Sequence, residues 1–246
     1  MDLPRRIPGA LIGLLAWSSL PLAAQSPGVS ESRGLPFDTA SLATGPRAEA
    51  TSLLEKTIFQ IDVLRLRLRF GPETASRIGS LVRGRNRTGP LADSVSRAAM
   101  ESRNAWARLT FLRDVGFQRF LDGIEDNLEV ARRGGVVDRA FTRTLSDSLP
   151  VWYGQLRERG VREGDEMMYR IRGDTLHAVF RTVEGRFVVN REDVGVQPGL
   201  AVLGGYFLPG SEFRDDLLDS LFRGTSSSSR LPPSGLRVPN AGGRQP

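Results

Sequence analysis

The chain has 246 residues, with 34 Lys plus Arg against 28 Asp plus Glu, one His and no Cys. The missing thiols exclude a disulfide framework, a Cys nucleophile and a Cys-ligated zinc or iron–sulfur site, and the lone imidazole, His177, excludes motifs that need two. A 39% hydrophobic and 25% charged composition is that of a globular domain, and only the net charge of +6 raises a nucleic-acid partner.

Residues 1–24 open with Arg5 and Arg6, run through an apolar stretch over 7–22 and finish on Ala23 and Ala24, the layout of a secretory signal peptide. The protein is therefore expected to be exported, to the periplasm or beyond the cell. Pro8, Gly9 and Pro21 interrupt the stretch, which is shorter than the roughly 20 residues of a membrane span. Residues 25–47, rich in Ser, Gly, Pro and Ala, read as a flexible linker. The folded domain is expected over 48–222, and the Ser/Gly/Pro/Arg tail over 223–246 has too little apolar surface to order itself.

Residues 57–70 carry the longest strand pattern, and it changes face part way. Phe59, Ile61 and Val63 are apolar at odd positions, whereas Leu64, Leu66, Leu68 and Phe70 are apolar at even ones, with Arg65, Arg67 and Arg69 between. A period of two cannot switch faces without an extra residue or a sharp twist, which predicts a bulge or bend at Val63 and Leu64. Gln60 and Asp62, opposite the first apolar face, read as solvated. After Gly71 and Pro72 a short helix shows Ala75, Ile78, Leu81 and Val82 on one face. Residues 84–103, polar, basic and broken by Gly84, Gly89 and Pro90, read as an insertion with at most an exposed helix.

A second strand over 105–113 places Ala107, Leu109 and Phe111 on one face, and alternation carries Arg113 to that face. Phe117, Phe120, Leu121, Ile124 and Leu128 then repeat at helical spacing until Gly134 and Gly135. Asp138 is a helix cap before Phe141, Leu145, Leu149, Trp152 and Leu156, with a kink or restart at Pro150. Residues 166–172 and 175–183 read as a hairpin about Gly173 and Asp174, and 186–190 as a further strand. A helix over 200–207, despite Gly204 and Gly205, and a last one capped by Ser211 with Phe213, Leu217, Leu218 and Leu221 inward complete an α+β order.

Lys56-Thr-Ile-Phe-Gln-Ile-Asp-Val63 before an alternating strand, Phe111-Leu-Arg-Asp-Val115 leading into the helix over 117–128, Arg162-Glu-Gly-Asp165 before the meander, and the closing helices over 201–221 with Tyr206 and a Pro-Gly break together resemble bacterial chalcone-isomerase-like proteins, over about residues 52–222. The resemblance implies an α+β open-faced β-sandwich, an antiparallel sheet with a layer of helices on one face over a cleft. The family holds plant isomerases, intramolecular lyases that cyclise chalcones to flavanones, and plant fatty-acid-binding proteins. The plant enzymes carry an arginine in an Arg-Gly-Leu segment before the long strand. The matching stretch here, Glu49-Ala-Thr-Ser-Leu-Leu-Glu55, has none, which ranks ligand binding above isomerase activity.

Binding a carboxylate or holding a phenolate needs a buried cation and hydroxyl donors beside an apolar cleft. Arg113, Tyr169 and Tyr206 are the candidate ligand-binding residues, with Tyr153 as a further hydroxyl, and no catalytic residue is assigned. His177 lacks a Gly-x-Ser-x-Gly partner and reads as a satisfied or surface histidine. The acidic clusters at Glu125 and Asp126, at 163–166, and at Asp215 and Asp216 read as solvated faces. No cofactor and no metal are expected; the partner is a small apolar or carboxylate ligand, the oligomeric state is open, and an isomerase or a polyanion-binding or lipid-surface protein are the alternatives. Residues 57–110 hold 10 Arg and 4 acids, whereas 111–222 hold 15 Arg and 19 acids. The basic excess is therefore local, which argues against nucleic acid and leaves only weak membrane-surface contact.

Overall fold

The computed structural model describes residues 36–45, 47–55 and 62–224. The expected signal segment, most of the expected linker, the start of the long strand pattern with Phe59, Gln60 and Ile61, and the tail beyond 224 lie outside the described residues. So does the side chain of Asp62.

Six strands, β1 (Glu49–Glu55), β2 (Asp62–Phe70), β3 (Asn104–Phe111), β4 (Glu166–Arg172), β5 (Thr175–Arg181) and β6 (Phe187–Val194), form one antiparallel sheet in chain order. Helices α1 (Pro72–Val82) and α2 (Gly89–Met100) join β2 to β3, α3 (Phe117–Arg133) and α4 (Arg139–Trp152) join β3 to β4, and α5 (Val196–Phe207) and α6 (Arg214–Arg223) follow β6. The helices pack on one face of the sheet, the α+β arrangement that the element order predicts.

Alternation along each strand builds that face. The register lines up Ala50, Leu68, Ala107, Tyr169, Ala178 and Arg191 in one row across the sheet. Ser52, Leu66, Leu109, Met167, Phe180 and Val189 form the next. Leu66, Leu68, Phe70 and Phe180 are fully buried beneath the helices. The opposite face carries the arginines: Arg67 grips Glu49 through two bonds of 2.6 and 2.9 Å, and Arg108 and Arg181 share Glu166.

Several expectations change. β1 escaped the sequence pattern, because its alternation is built from Ala50, Ser52 and Leu54 and only the last is strongly apolar. The expected bulge is present: between Leu54 and Glu55 the register slips, so that Leu64 and Asp62 face consecutive residues of β1 and Val63 is the extra one. The helix in the segment 84–103 is not an exposed one. This helix, α2, buries Ala92, Val95, Ala98 and Ala99 in the main core against α1, α5 and α6, small side chains that add little hydrophobicity to a sequence window but permit close approach. The part of the expected linker that is described is held down. Arg170, 2% exposed on the open face of β4, donates to the Asp38 carbonyl (3.0 Å), the Ser41 hydroxyl (2.8 Å) and the Asn104 side chain (2.7 Å). Burial pulls its guanidinium down to about 10. Asp165 and Glu166 are buried rather than solvated, because arginines reach both.

The helical layer is set by α5. Gly199 lies over Ile171 of β4, and Gly204 and Gly205 face α3, where a Cβ on Gly205 would stand 2.9 Å from the Asn127 carbonyl oxygen. The contacts with α3 explain why this helix keeps adjacent glycines at 204 and 205 besides Gly199, each costing about 1 kcal/mol in propensity. Leu128, Ala131, Val137 and Ala201 fill a second, smaller core around it. Gly205→Ala is expected to destabilise the protein by about 1–2 kcal/mol, the overpacking cost exceeding the gain in propensity. Gly199→Ala, whose Cβ would meet Ile171 at an ordinary 3.6 Å, is expected to be neutral or stabilising. Urea midpoints compare the two, and equal shifts would refute the close-contact account.

Candidate functional site

Between the sheet and the helices lies a cavity of about 590 Å³. Its floor is the row Tyr169, Ala178, Arg191 and the neighbouring Met167, Leu176 and Val189. The small side chains of Ala107 and Ala178 flank Tyr169 in the register and leave a groove beside its ring. Two strand spacings, about 10 Å, separate Tyr169 from Arg191 along that groove.

The roof is α3, α4 and α5. The face of α4 that the sequence marks as apolar, Phe141, Leu145 and Trp152, is only half-buried, because it looks into the cavity; Leu149 alone in this helix is fully covered. Asp138 caps α4 as expected, accepting from the Phe141 N–H at 2.7 Å, and its second oxygen accepts from Gln197 at 2.7 Å, which ties the start of α4 to α5. One end is closed by an aromatic cluster in which Phe120 meets Phe111, Tyr153 and Phe180 at ring separations of 5.9, 4.9 and 5.6 Å. Exposed Arg119, Asp126, Arg133, Thr144 and Glu212 mark the mouth.

The polar groups inside are few. All three tyrosines of the chain, Tyr153, Tyr169 and Tyr206, line this one cavity. They are 3, 9 and 4% exposed. The Tyr153 hydroxyl reaches the Met167 sulfur at 3.8 Å, a weak acceptor, and those of Tyr169 and Tyr206 have no hydrogen-bond partner among the described residues. Burial pushes all three phenols well above their ordinary value, and for Tyr153 it outweighs the opposing pull of Arg191. The cation on the cavity floor is Arg191 of the edge strand β6, whose side chain stays 32% exposed. It donates from Nε to Asp193 at 3.0 Å and through Nη2 to the other oxygen, and its guanidinium carbon lies 3.5 Å from the centre of the Trp152 ring.

Tyr169 and Tyr206 thus lie in the cavity wall. Arg113 does not. β3 ends at Phe111, whose carbonyl accepts from Gly164, and the chain bends before Arg113, so the alternation that would have turned it inward has already stopped. Arg113 is half-buried away from the cavity lining, and Arg191 holds the place it was expected to fill. The signal for Arg191 was the same period of two: β6 runs on to Val194, beyond the expected end at residue 190, which puts Arg191 and Asp193 on the face of Val189. His177 sits on the opposite face, 2.6 Å from Asn190 and edge-on to Phe37. Among the described residues no group of acids and histidine is placed to hold a metal ion.

No family model matches the chain, and no curated protein matches it. Solved structures do match. One is an Arabidopsis thaliana fatty-acid binding protein, 12% identical, with a TM-score of 0.44 over 74% of this chain and 91% of that one.

The phenols give a direct solution signature. Their folded-state values are raised, so the stability they confer is intact below the unfolded value of 10.0 and falls as pH rises above it. Native protein is expected to show no tyrosinate absorbance through that range. Ionisation should arrive together with unfolding, stability falling by up to about 4 kcal/mol per pH unit for three phenols. Tyrosinate appearing in folded protein near pH 10 would show that the hydroxyls are solvated.

Proposed function

We propose that this protein binds a small, largely apolar ligand, of the order of a fatty acyl chain, in the cavity between its sheet and its helices. The observation that carries this reading is an apolar helix face, on α4, left half-buried over a groove in the sheet, in a cavity that three tyrosines line. A core built only for stability would close on that face, since interiors pack to crystal density. The volume of about 590 Å³ and a mostly apolar wall with a few convergent polar groups are those of a ligand pocket. We place the fold among the open-faced, chalcone-isomerase-like sheets, a placement that the element order supports.

Binding is favoured over isomerisation by the state of Arg191. Stabilising a developing oxyanion requires a donor free to meet it. Arg191 already has a bidentate partner in Asp193 and a ring against its face. A polyanion-binding role is disfavoured by the open sheet face, where Arg67, Arg108 and Arg181 are committed to Glu49 and Glu166. Export through the segment 1–24 belongs to the same proposal, and sequencing the amino terminus of protein recovered from its own host is expected to start near residue 25.

Nile red, an uncharged apolar dye, is expected to bind with one-to-one stoichiometry and to change the fluorescence of Trp152. Ala178→Phe, which fills the groove beside Tyr169, is expected to weaken dye binding at least about tenfold while the urea midpoint shifts little. Dye binding that ignores this substitution would place the ligand elsewhere.

A further inference from the structure

Resting on the binding role above, we propose that the cavity selects ligands whose polar end is uncharged, an ester, ketone or alcohol, over those that end in a free carboxylate. Tyr169 and Tyr206, residues that are nine-tenths or more buried in the cavity wall, have hydroxyls with no hydrogen-bond partner among the described residues, and Tyr153 has only the Met167 sulfur. Hydroxyls that line an apolar cavity without a protein partner are donors left for a ligand oxygen to accept from. Phenols that stay protonated donate to a neutral carbonyl or hydroxyl oxygen without bringing a charge into the cavity.

A carboxylate has no matching cation inside. Arg191 is the guanidinium on the cavity floor, 32% exposed at the sheet edge, and Asp193, two residues along the same strand face, occupies its Nε and Nη2 edge while Trp152 covers one face. An incoming carboxylate would lie beside the Asp193 carboxylate and share one cation with it, an arrangement in which one of two like charges must be protonated or displaced. Buried charges need a partner of their own. The mouth does not supply one of weight. Arg119 and Arg133 are exposed there among Asp126, Glu129 and Glu212, and ion pairs in that setting are screened by water. The fold has therefore placed a cation in an apolar cavity and neutralised it in the same strand.

The test is displacement of Nile red from the full chain at neutral pH by three ligands of one chain length: palmitic acid, methyl palmitate and hexadecanol. Methyl palmitate and hexadecanol are expected to bind at least about tenfold more tightly than the acid. Asp193→Asn, which frees the Arg191 charge without changing side-chain shape, is expected to tighten the acid about tenfold and to leave the ester within about twofold. Tyr169→Phe is expected to weaken the ester and not the dye. Wild-type protein that prefers the acid, or an Asp193→Asn variant whose ranking is unchanged while it remains folded by its tryptophan fluorescence, would overturn the proposal and leave the binding role standing. Failure of the dye and of all three ligands to bind would remove the binding role itself.

Discussion

The distance at which α3 and α4 stand above the sheet depends on one contact, that of Gly204 and Gly205 with α3. With no side chains there, α5 lies flat on β4 and β5 and takes α3 against its flank, where Gly204 faces Ala131 and Gly205 faces the Asn127 backbone. Once α3 is docked on α5, and its first turn is pinned to the sheet through Phe120, the helix bridges the interval between two fixed points. The side chains beneath that interval, Ala178 and Tyr169, are too short or too flat to fill it. The cavity is the space that this geometry leaves, and α4, tied to α5 through Asp138 and Gln197, completes its roof.

Electrostatics inside the cavity follow from that enclosure. In bulk water a phenol, an arginine and an aspartate would each be served by solvent. Behind α3 and α4 the phenols are held neutral, whereas the guanidinium and carboxylate of β6, about a third exposed at the sheet edge, have each other as well as solvent. A bidentate Arg–Asp pair stacked on a tryptophan offsets the charge of both groups, so a third, anionic group gains little net charge to pair with. The polarity of the cavity is thus arranged as one hydroxyl on the floor, Tyr169, two from the helical layer, Tyr153 and Tyr206, and an ion pair at the β6 end of the floor.

Much of the fold was legible in the sequence, and the losses have identifiable physics. Strong periodicity located β2 to β5, α3 and α4, and even the bulge at Val63, because large apolar side chains recur at spacings that only one structure satisfies. Weak periodicity hid β1 and the burial of α2, where Ala, Ser and Val do the packing. The tyrosines were visible as hydroxyls near apolar runs, but that all three converge on one cavity depends on α4 and α5 meeting β4, which no local pattern contains. Arg113 and Arg191 exchange places for a single reason. Alternation is reliable only as far as the strand extends, and strand ends are set by partners: Gly164 pairs with Phe111 and stops β3, whereas β5 continues beside β6 to Val194.

The abundance of arginine has a structural use that bears on a chain without cysteines. Arg87 joins the loop before α2 to Asp215 and Asp219 of α6, and Arg214 of α6 reaches Asp93 of α2, so guanidinium groups link segments far apart in sequence. Most of these pairs are partly exposed and worth about 0–1 kcal/mol each, which makes their number a poor measure of stability. Two buried positions are different in kind. Asp165 is fully buried; burial pushes its carboxyl up, yet bonds from Arg159 and from the Arg162 and Val183 N–H groups outweigh this and hold it below its usual range, fixing the turn into β4. Arg170 spends its donors on neutral oxygens of 38–41 and of β3, a fork that a lysine, with one nitrogen, cannot reproduce. Removing either would leave buried groups unpaired, at about 3–5 kcal/mol for a charged partner. The positive charge that first pointed outward to a partner is thus, at its most consequential positions, directed inward to the fold.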